Sequence, residues 1–389
     1  MIRAFLNQRT LLEWGVLTFA FSLPLTIAVA EPLVFLLILG AGIQGMQSRG
    51  EGPRMRWHPF LWPVAAFVLI AGATALWSVR PELSLSRMHR LLIPGMIFIV
   101  AAIYGRGAAS PFRVMEPAVF FLAGCTLLSL HDIVHIPRAA LAGASLESQG
   151  NMRDPQMYLV SMAVLLALLP VPRLRLWRPL IAAALALQGL GMILHFKRGV
   201  WLAFLLVSVC HGGISRRWKP LLAVAILAAA SLLYPAVRTR VTALPSLWAD
   251  EAGGRYALWT DVAPALLPRY PQGMGWCAVN HDDLSAHTGY VQAKLNHLHN
   301  NILQVALETG WLGLAAWGCW MGVALGVMVR NVRQIRDPVP GALALGILCA
   351  FIGLLVNGMV EYNFGDTELL MLFCFLMGIA QAQGVRVPP

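Results

Sequence analysis

NILQVALETGWLGLAAWGCWMGVALGVMV (301–329), RNVRQIRDPVP (330–340) and GALALGILCAFIGLLVNGMV (341–360) decide the fold. The first and last blocks are apolar for long enough to cross a bilayer, which takes about 20 residues. The short block between them carries Arg330, Arg333 and Arg336. Short loops rich in Lys and Arg stay on the cytoplasmic side, so this is a helical hairpin whose turn faces inward.

The pattern repeats along the chain. Apolar segments near 11–30, 32–46, 59–78, 89–105, 114–132, 155–171, 179–195, 199–213, 220–235 and 367–385 join the two above to give about twelve expected spans. Dense basic clusters (RGEGPRMR, PRLRLWR, SRRWK) recur in alternate short loops, which puts both termini in the cytoplasm. Of 389 residues, 58% are hydrophobic and 12% charged, with mean hydropathy +0.68. That leaves too little polar surface for a soluble protein of this size. The isoelectric point of about 9.9 reflects membrane orientation and contact with anionic lipids. Nucleic-acid binding is the weaker reading, because the positive charges sit in short interhelical loops. Ala28-Val29-Ala30 mimics a signal-peptidase site, but cleavage there would invert every later span. The first span is therefore expected to stay and to end in a turn at Glu31-Pro32.

The fold class read from this pattern is an all-α polytopic membrane protein with a large outer loop that itself contains helices. It divides into spans one to nine (1–235), an inserted loop (236–300) and spans ten to twelve (301–389), within one membrane domain. The inserted loop is too long for a simple connection, and long loops carry function. In it, GGRYALWTDVAPALLPRYP reads as a helix preceded by Asp250 and Glu251, and QGMGW as a turn with Gly273 and Gly275. Five of the six cysteines fall in apolar spans and Cys277 lies alone in the loop, so no disulfide framework is expected.

Candidate functional residues cluster on the outer side. Lys197 and Arg198 occupy a tight junction between two spans, where positive charge is disfavoured by topology. They read as a phosphate clamp, since guanidinium offers a planar fork of donors, or else as cations snorkelling to headgroups. Arg255 opens the loop helix, where an N-terminus favours anions, or is a plain surface arginine. Two such sites on one face suit a substrate with two linked phosphates. His297 and His299, in LNHLHNNILQ, read as a general base able to take a proton from a sugar hydroxyl. The His-x-His spacing also admits a metal, with His281, Asp282, Asp283 and His287 as further ligands, although no Cys or helical His pair supports it. Glu361 and Asp366, in EYNFGDTELL, orient a histidine, neutralise an arginine or cap a helix; the cap reading is slightly favoured.

His299-Asn300, nine residues, Gly310, two residues and Gly313 resemble the motif of O-antigen ligases, with Leu314 outside the usual set at the last position. KRGVWLAF, GGRYALWTDV, PQGMGW and EYNFGDTELL are similar to segments of the same superfamily, in the same order, over about 195–370. The resemblance implies a GT-C-like fold in the bacterial inner membrane with its site facing the periplasm. It further implies a glycosyltransferase whose donor is O-antigen on undecaprenyl diphosphate and whose acceptor is a lipid A-core sugar. No cofactor, no metal and no nucleic acid is implied; membrane lipids surround the protein. Carried over by position, His299 is the motif histidine, and Arg198 and Arg255 bind the donor diphosphate. Lys197, His297, Asn300, Glu361 and Asp366 are possible supports. The alternatives are an O-antigen polymerase or protein O-oligosaccharyltransferase using the same donor, and a lipid or polysaccharide transporter. Buried charge in mid-span would favour the transporter, and the span centres are nearly free of it. The short stretch after Gly313 leans towards a ligase.

Overall fold

A computed structural model describes residues 10–47, 58–105, 111–141, 151–218, 222, 224–225, 229, 232–233, 235–242, 255–287 and 296–384. These residues form an all-α polytopic membrane protein. Seven of the helices are long and apolar enough to cross a membrane, and three shorter apolar helices accompany them. The expected spans each overlap helix, except that 11–30 is split by a turn between two helices and 220–235 lies largely outside the described residues.

The helices start and stop where local chemistry dictates. Helix α1 (Leu11–Ser22) opens on a capping box, in which the Thr10 hydroxyl accepts from Glu13 N–H while the Glu13 carboxylate accepts from Thr10 N–H. It ends at Leu23, and α2 (Ile27–Gln47) begins after a turn in which Leu25 and Thr26 N–H both bond Ser22 O. The turn thus falls at the first proline of the region, Pro24, and not at Glu31-Pro32 as the sequence suggested. Pro32 lies inside α2, where an interior proline forfeits one ladder bond that a protein-lined helix can tolerate. Further on come α3 (Leu61–Ala73), α4 (Gly95–Gly105), α5 (Glu116–Leu141) and α6 (Arg153–Leu168). A tight junction separates α7 (Arg178–Leu194) from α8 (Arg198–Ser215). The inserted loop supplies α9, a short helix made of Arg255–Ala257, a π turn Leu258–Val262 and Ala263–Leu266. The bundle closes with α10 (Asn301–Gln334), α11 (Pro338–Asn357) and α12 (Thr367–Gly384).

Helix α11 lies along α6 and α8, α12 along α4, and α10 along α3. α6 and α12 are enclosed almost along their whole length, all but one or two residues of each lying inside the protein. Leu36, Leu39, Leu69, Leu202 and Leu312 point outward, as expected where lipid rather than water is the neighbour. At the end where the loop inserts (the loop end), Phe364 packs edge-on against Phe67, Trp317, Trp320 and Phe373, with ring centroids 5.7–6.0 Å apart. Trp276 of the loop also packs edge-on against Phe67, with ring centroids 5.9 Å apart. Edge-to-face pairs of this kind add about 0.5–1.5 kcal/mol each and fix the 358–366 turn beneath the loop.

α10 is broken. Gly310 has φ 69° and ψ −175°, which only glycine adopts readily, and the loop docks into the break. Met274 N–H bonds Leu307 O (2.8 Å), Gly275 N–H bonds Glu308 O (3.0 Å), and Trp311 N–H bonds Pro271 O (3.1 Å). Gly273 and Gly275 also have positive φ, as the QGMGW turn requires. A Cβ at Gly310 would sit 2.5 Å from Pro271 O, and one at Gly313 2.1 Å from the Thr309 hydroxyl. Gly310 is therefore a spacing device for the loop's docking, whereas Gly313 leaves room for the Thr309 side chain one turn earlier in α10.

Candidate active site at the loop end of the bundle

The segment before α10 is sewn to the 358–364 turn. Asn300 caps the helix, its Oδ1 accepting from Ile302 and Leu303 N–H, while its amide donates to Met359 O at 2.9 Å. Asn301 N–H donates to Gly358 O, its side chain donates to Asn363 Oδ1 at 2.7 Å, and its Oδ1 accepts from Phe364 N–H. On the other flank, Leu298 O accepts from the Trp259 indole of α9 at 2.8 Å, and Leu298 N–H donates to Gln304. Gln304 passes the chain to Glu308, which also accepts from Tyr362 OH and Cys277 N–H. These bonds hold His299 at a left-handed φ of 49°, a conformation that costs on the order of 1 kcal/mol and needs such support.

So held, His299 faces Glu361, with Nδ1 2.8 Å from Oε1. Arg255, the first residue of α9, reaches the other oxygen of the same carboxylate at 3.0 Å. His297 lies edge-on to His299, ring centroids 4.2 Å apart, and its Nδ1 accepts from His299 N–H. Its Nε2 is 3.9 Å from Glu361. Burial, helped by the neighbouring His299, lowers His297 to about 4, so that ring is neutral at pH 7. Burial would raise Glu361, but the His299 hydrogen bond and the charges of His299 and Arg255 outweigh it and lower its carboxyl to about 2. When the ring is neutral and donates Nδ1–H to Glu361, Nε2 is its acceptor nitrogen, and Nε2 makes no hydrogen bond to the described residues. A fixed imidazole with one free acceptor nitrogen is the arrangement of a general base.

The structure thus brings together His299, His297, Asn300, Arg255 and Glu361. Lys197 and Arg198 sit at the α7–α8 junction, and Arg198 is the first residue of α8. The next residue, Gly199, lies so close to Asn357 and Val360 that an added Cβ would be 3.2 and 3.0 Å from them. The junction therefore abuts the turn that carries Glu361. Asp366 serves a different purpose. Its carboxylate accepts from Glu368 N–H at 3.1 Å and its carbonyl from Leu370 N–H, at the start of α12. Burial and the adjacent Glu368 raise its carboxyl to about 7.

Among the described residues, two groups have the spacing to hold a metal ion: His297, His299 and Glu361, and Asp132, Asp154 and His195. In the first, the Arg255 guanidinium already neutralises the carboxylate; in the second, Arg153 does so at 2.7 Å from Asp154. Asp283, read from sequence as a candidate ligand, instead takes both guanidinium nitrogens of Arg80 and ties the loop to the residues after α3. Asp250, Glu251, Gly253 and Gly254 lie outside the described residues.

Sequence reasoning missed the second group altogether. Asp132 of α5 accepts from the Tyr158 hydroxyl of α6 and lies 2.8 Å from His195 Nε2, at the end of α7. The signal was present in HDIVH (131–135), ionisable residues within an otherwise apolar span, which is a functional pointer by default. Gln304 and Glu308 likewise interrupt the apolar pattern near the start of α10.

Fold and site define a polytopic membrane protein carrying an imidazole–carboxylate–guanidinium constellation at one end of its bundle. Residues 181–318 match the family model described as O-antigen ligase. This stretch holds Lys197, Arg198, Arg255, His297, His299, Asn300, Gly310 and Gly313, but neither Glu361 nor Asp132. A protein of Rickettsia prowazekii (strain Madrid E), provisionally named a polysaccharide ligase, is 27% identical over 150 residues, which are 35% of this chain and 35% of that protein. The match thus spans about a third of each. Together these similarities support the O-antigen ligase superfamily.

Proposed function

We propose that the protein is a glycosyltransferase that ligates a polysaccharide from undecaprenyl diphosphate onto a sugar hydroxyl of lipid A-core. The reaction takes place at the periplasmic face of the bacterial inner membrane. The observation that carries this reading is the His299 imidazole, held at Nδ1 by Glu361 beside Arg255 and open at Nε2. The acceptor hydroxyl attacks the anomeric carbon while its proton passes to His299 Nε2. The bond from that carbon to the diphosphate oxygen breaks, and undecaprenyl diphosphate departs with the electron pair. A single displacement inverts the anomeric centre.

A sugar hydroxyl is a poor nucleophile near pH 7, and a positioned base accelerates its attack by about 10²–10⁴-fold. Charge develops on the leaving diphosphate, where preorganised guanidinium groups act most strongly. Arg255 and Arg198 take that role. Both the matched family and the relative's name support a ligase-type or polymerase-type reaction on lipid-linked polysaccharide. Purified protein given labelled lipid-linked donor, with or without rough lipopolysaccharide, tests the assignment. Product on the lipopolysaccharide is expected, and His299→Ala is expected to abolish it. Chain lengthening on the donor alone would make the protein a polymerase, and near-normal ligation by His299→Ala would sink the base assignment.

A further inference from the structure

The cluster around Asp132 has no part in the proposed chemistry, yet it is among the most enclosed polar groups in the molecule. His195 is 1% exposed and Asp132 5%. Asn151 N–H donates to His195 Nδ1 at 3.1 Å. A nitrogen that accepts carries no proton, so His195 is neutral and its Nε2–H donates to Asp132. Asp132 also accepts from Tyr158 OH, and His131 Nδ1 lies 3.2 Å from its other oxygen. Asn151 is itself locked to Asp154, which is paired with Arg153. Both ring nitrogens of His195 are therefore used, leaving none for acid–base work or for a ligand.

The site of this lock matters. His195 is the last residue before a sharp turn: Phe196 has φ 55°, its ring is buried 6.5 Å from Trp201, and the Trp201 indole bonds Met192 O across the turn. Lys197 and Arg198 follow at once, and Gly199 rests on Asn357 and Val360, directly before Glu361. The junction is clamped from behind by helices α5 and α6 and in front by the turn that orients His299. Such a clamp holds the α8 N-terminus in place before the donor arrives, and preorganisation of this kind lowers the cost of binding.

We propose that Asp132 and His195, with Tyr158, are positioning residues that set the Lys197–Arg198 junction for the lipid-linked diphosphate. The inference rests on the reading of Arg198 as a diphosphate clamp. Donor and acceptor kinetics of the full-length protein in nanodiscs test it with Arg198→Ala, Asp132→Asn, His195→Gln, Tyr158→Phe and the Asp132→Asn/Arg198→Ala pair. Arg198→Ala is expected to raise the donor KM strongly. Asp132→Asn and His195→Gln should raise it about tenfold, leave the acceptor KM unchanged, and add nothing to Arg198→Ala in the double variant. Tyr158→Phe, which removes one hydroxyl, should raise the donor KM about threefold and carries the test if Asp132→Asn does not fold. A wild-type donor KM in folded Asp132→Asn or Tyr158→Phe, or multiplying losses in the double variant, overturns the proposal. A wild-type donor KM in Arg198→Ala overturns it too, but by removing the clamp reading beneath it. His299→Ala then reports separately on the transfer assignment.

Discussion

Two histidine–carboxylate pairs lie at the loop end of the bundle, and each has its atoms 2.8 Å apart. At His195 both nitrogens are engaged, the ring is sealed, and the carboxylate is filled by a tyrosine hydroxyl. At His299 one nitrogen is engaged, the side chain is 16% exposed, and the carboxylate is shared with a guanidinium. On the proposed reading, the same contact serves as a structural clamp in one place and as a base in the other, depending on what the second nitrogen meets. The contact distance alone does not reveal which.

That distinction breaks most directly through the two imidazoles. His299→Ala should lower kcat by at least about 10²-fold, whereas His195→Gln should act on donor KM and leave kcat largely intact. A common phenotype for both would erase the comparison. Next in size is Glu361→Gln, which keeps a side chain of the same shape but removes the charge that fixes the Nδ1–H tautomer and pairs with Arg255. About a 10²-fold loss of kcat is expected, and unchanged turnover in steady-state assays would show that the carboxylate is incidental.

A smaller effect sharpens the contrast through pH. Glu361, lowered from 4.5 to about 2, contributes stability that is complete above pH 4.5 and disappears as pH falls towards 2. His297, lowered from 6.5 to about 4, contributes stability that is complete above pH 6.5 and declines as pH falls towards 4, because only the unfolded chain takes up the proton. Thermal midpoints in detergent should therefore decline in two successive windows. His297→Asn should flatten the first and Glu361→Gln the second. The smallest effect belongs to Asp366, whose carboxyl is raised from 3.8 to about 7 and so disfavours the fold increasingly between those values. Asp366→Asn keeps a capping oxygen, so its midpoint at pH 8 should equal or slightly exceed wild type, with transfer unchanged.

The sequence revealed the spans well, because apolar length and basic loops are strong signals of bilayer crossing. It misplaced the first turn because two prolines, Pro24 and Pro32, compete to end the helix and hydropathy cannot rank them. His299, Arg255 and Glu361 were legible because they lie in short polar strings beside apolar runs. The order of roles within those strings was less so: Glu361 and Asp366 look alike in EYNFGDTELL, yet one meets an imidazole and the other caps a helix. Asp132, Tyr158 and His195 were illegible as a group, since three separate helices supply them and each residue alone passes as an ordinary polar interruption. Glu308 was passed over for the same reason.

The break at Gly310 bears on how such a protein can be rebuilt. Backbone amides of the inserted loop complete the hydrogen-bond ladder of α10 at Leu307 and Glu308, as though the loop were a missing turn of that helix. Excising or exchanging the loop would orphan two carbonyls in a nearly dry setting, at several kcal/mol each. The insertion is consequently no interchangeable cassette. A chimera that borrows it from another protein would need to import the first third of α10 as well, with the glycine at its break, to fold.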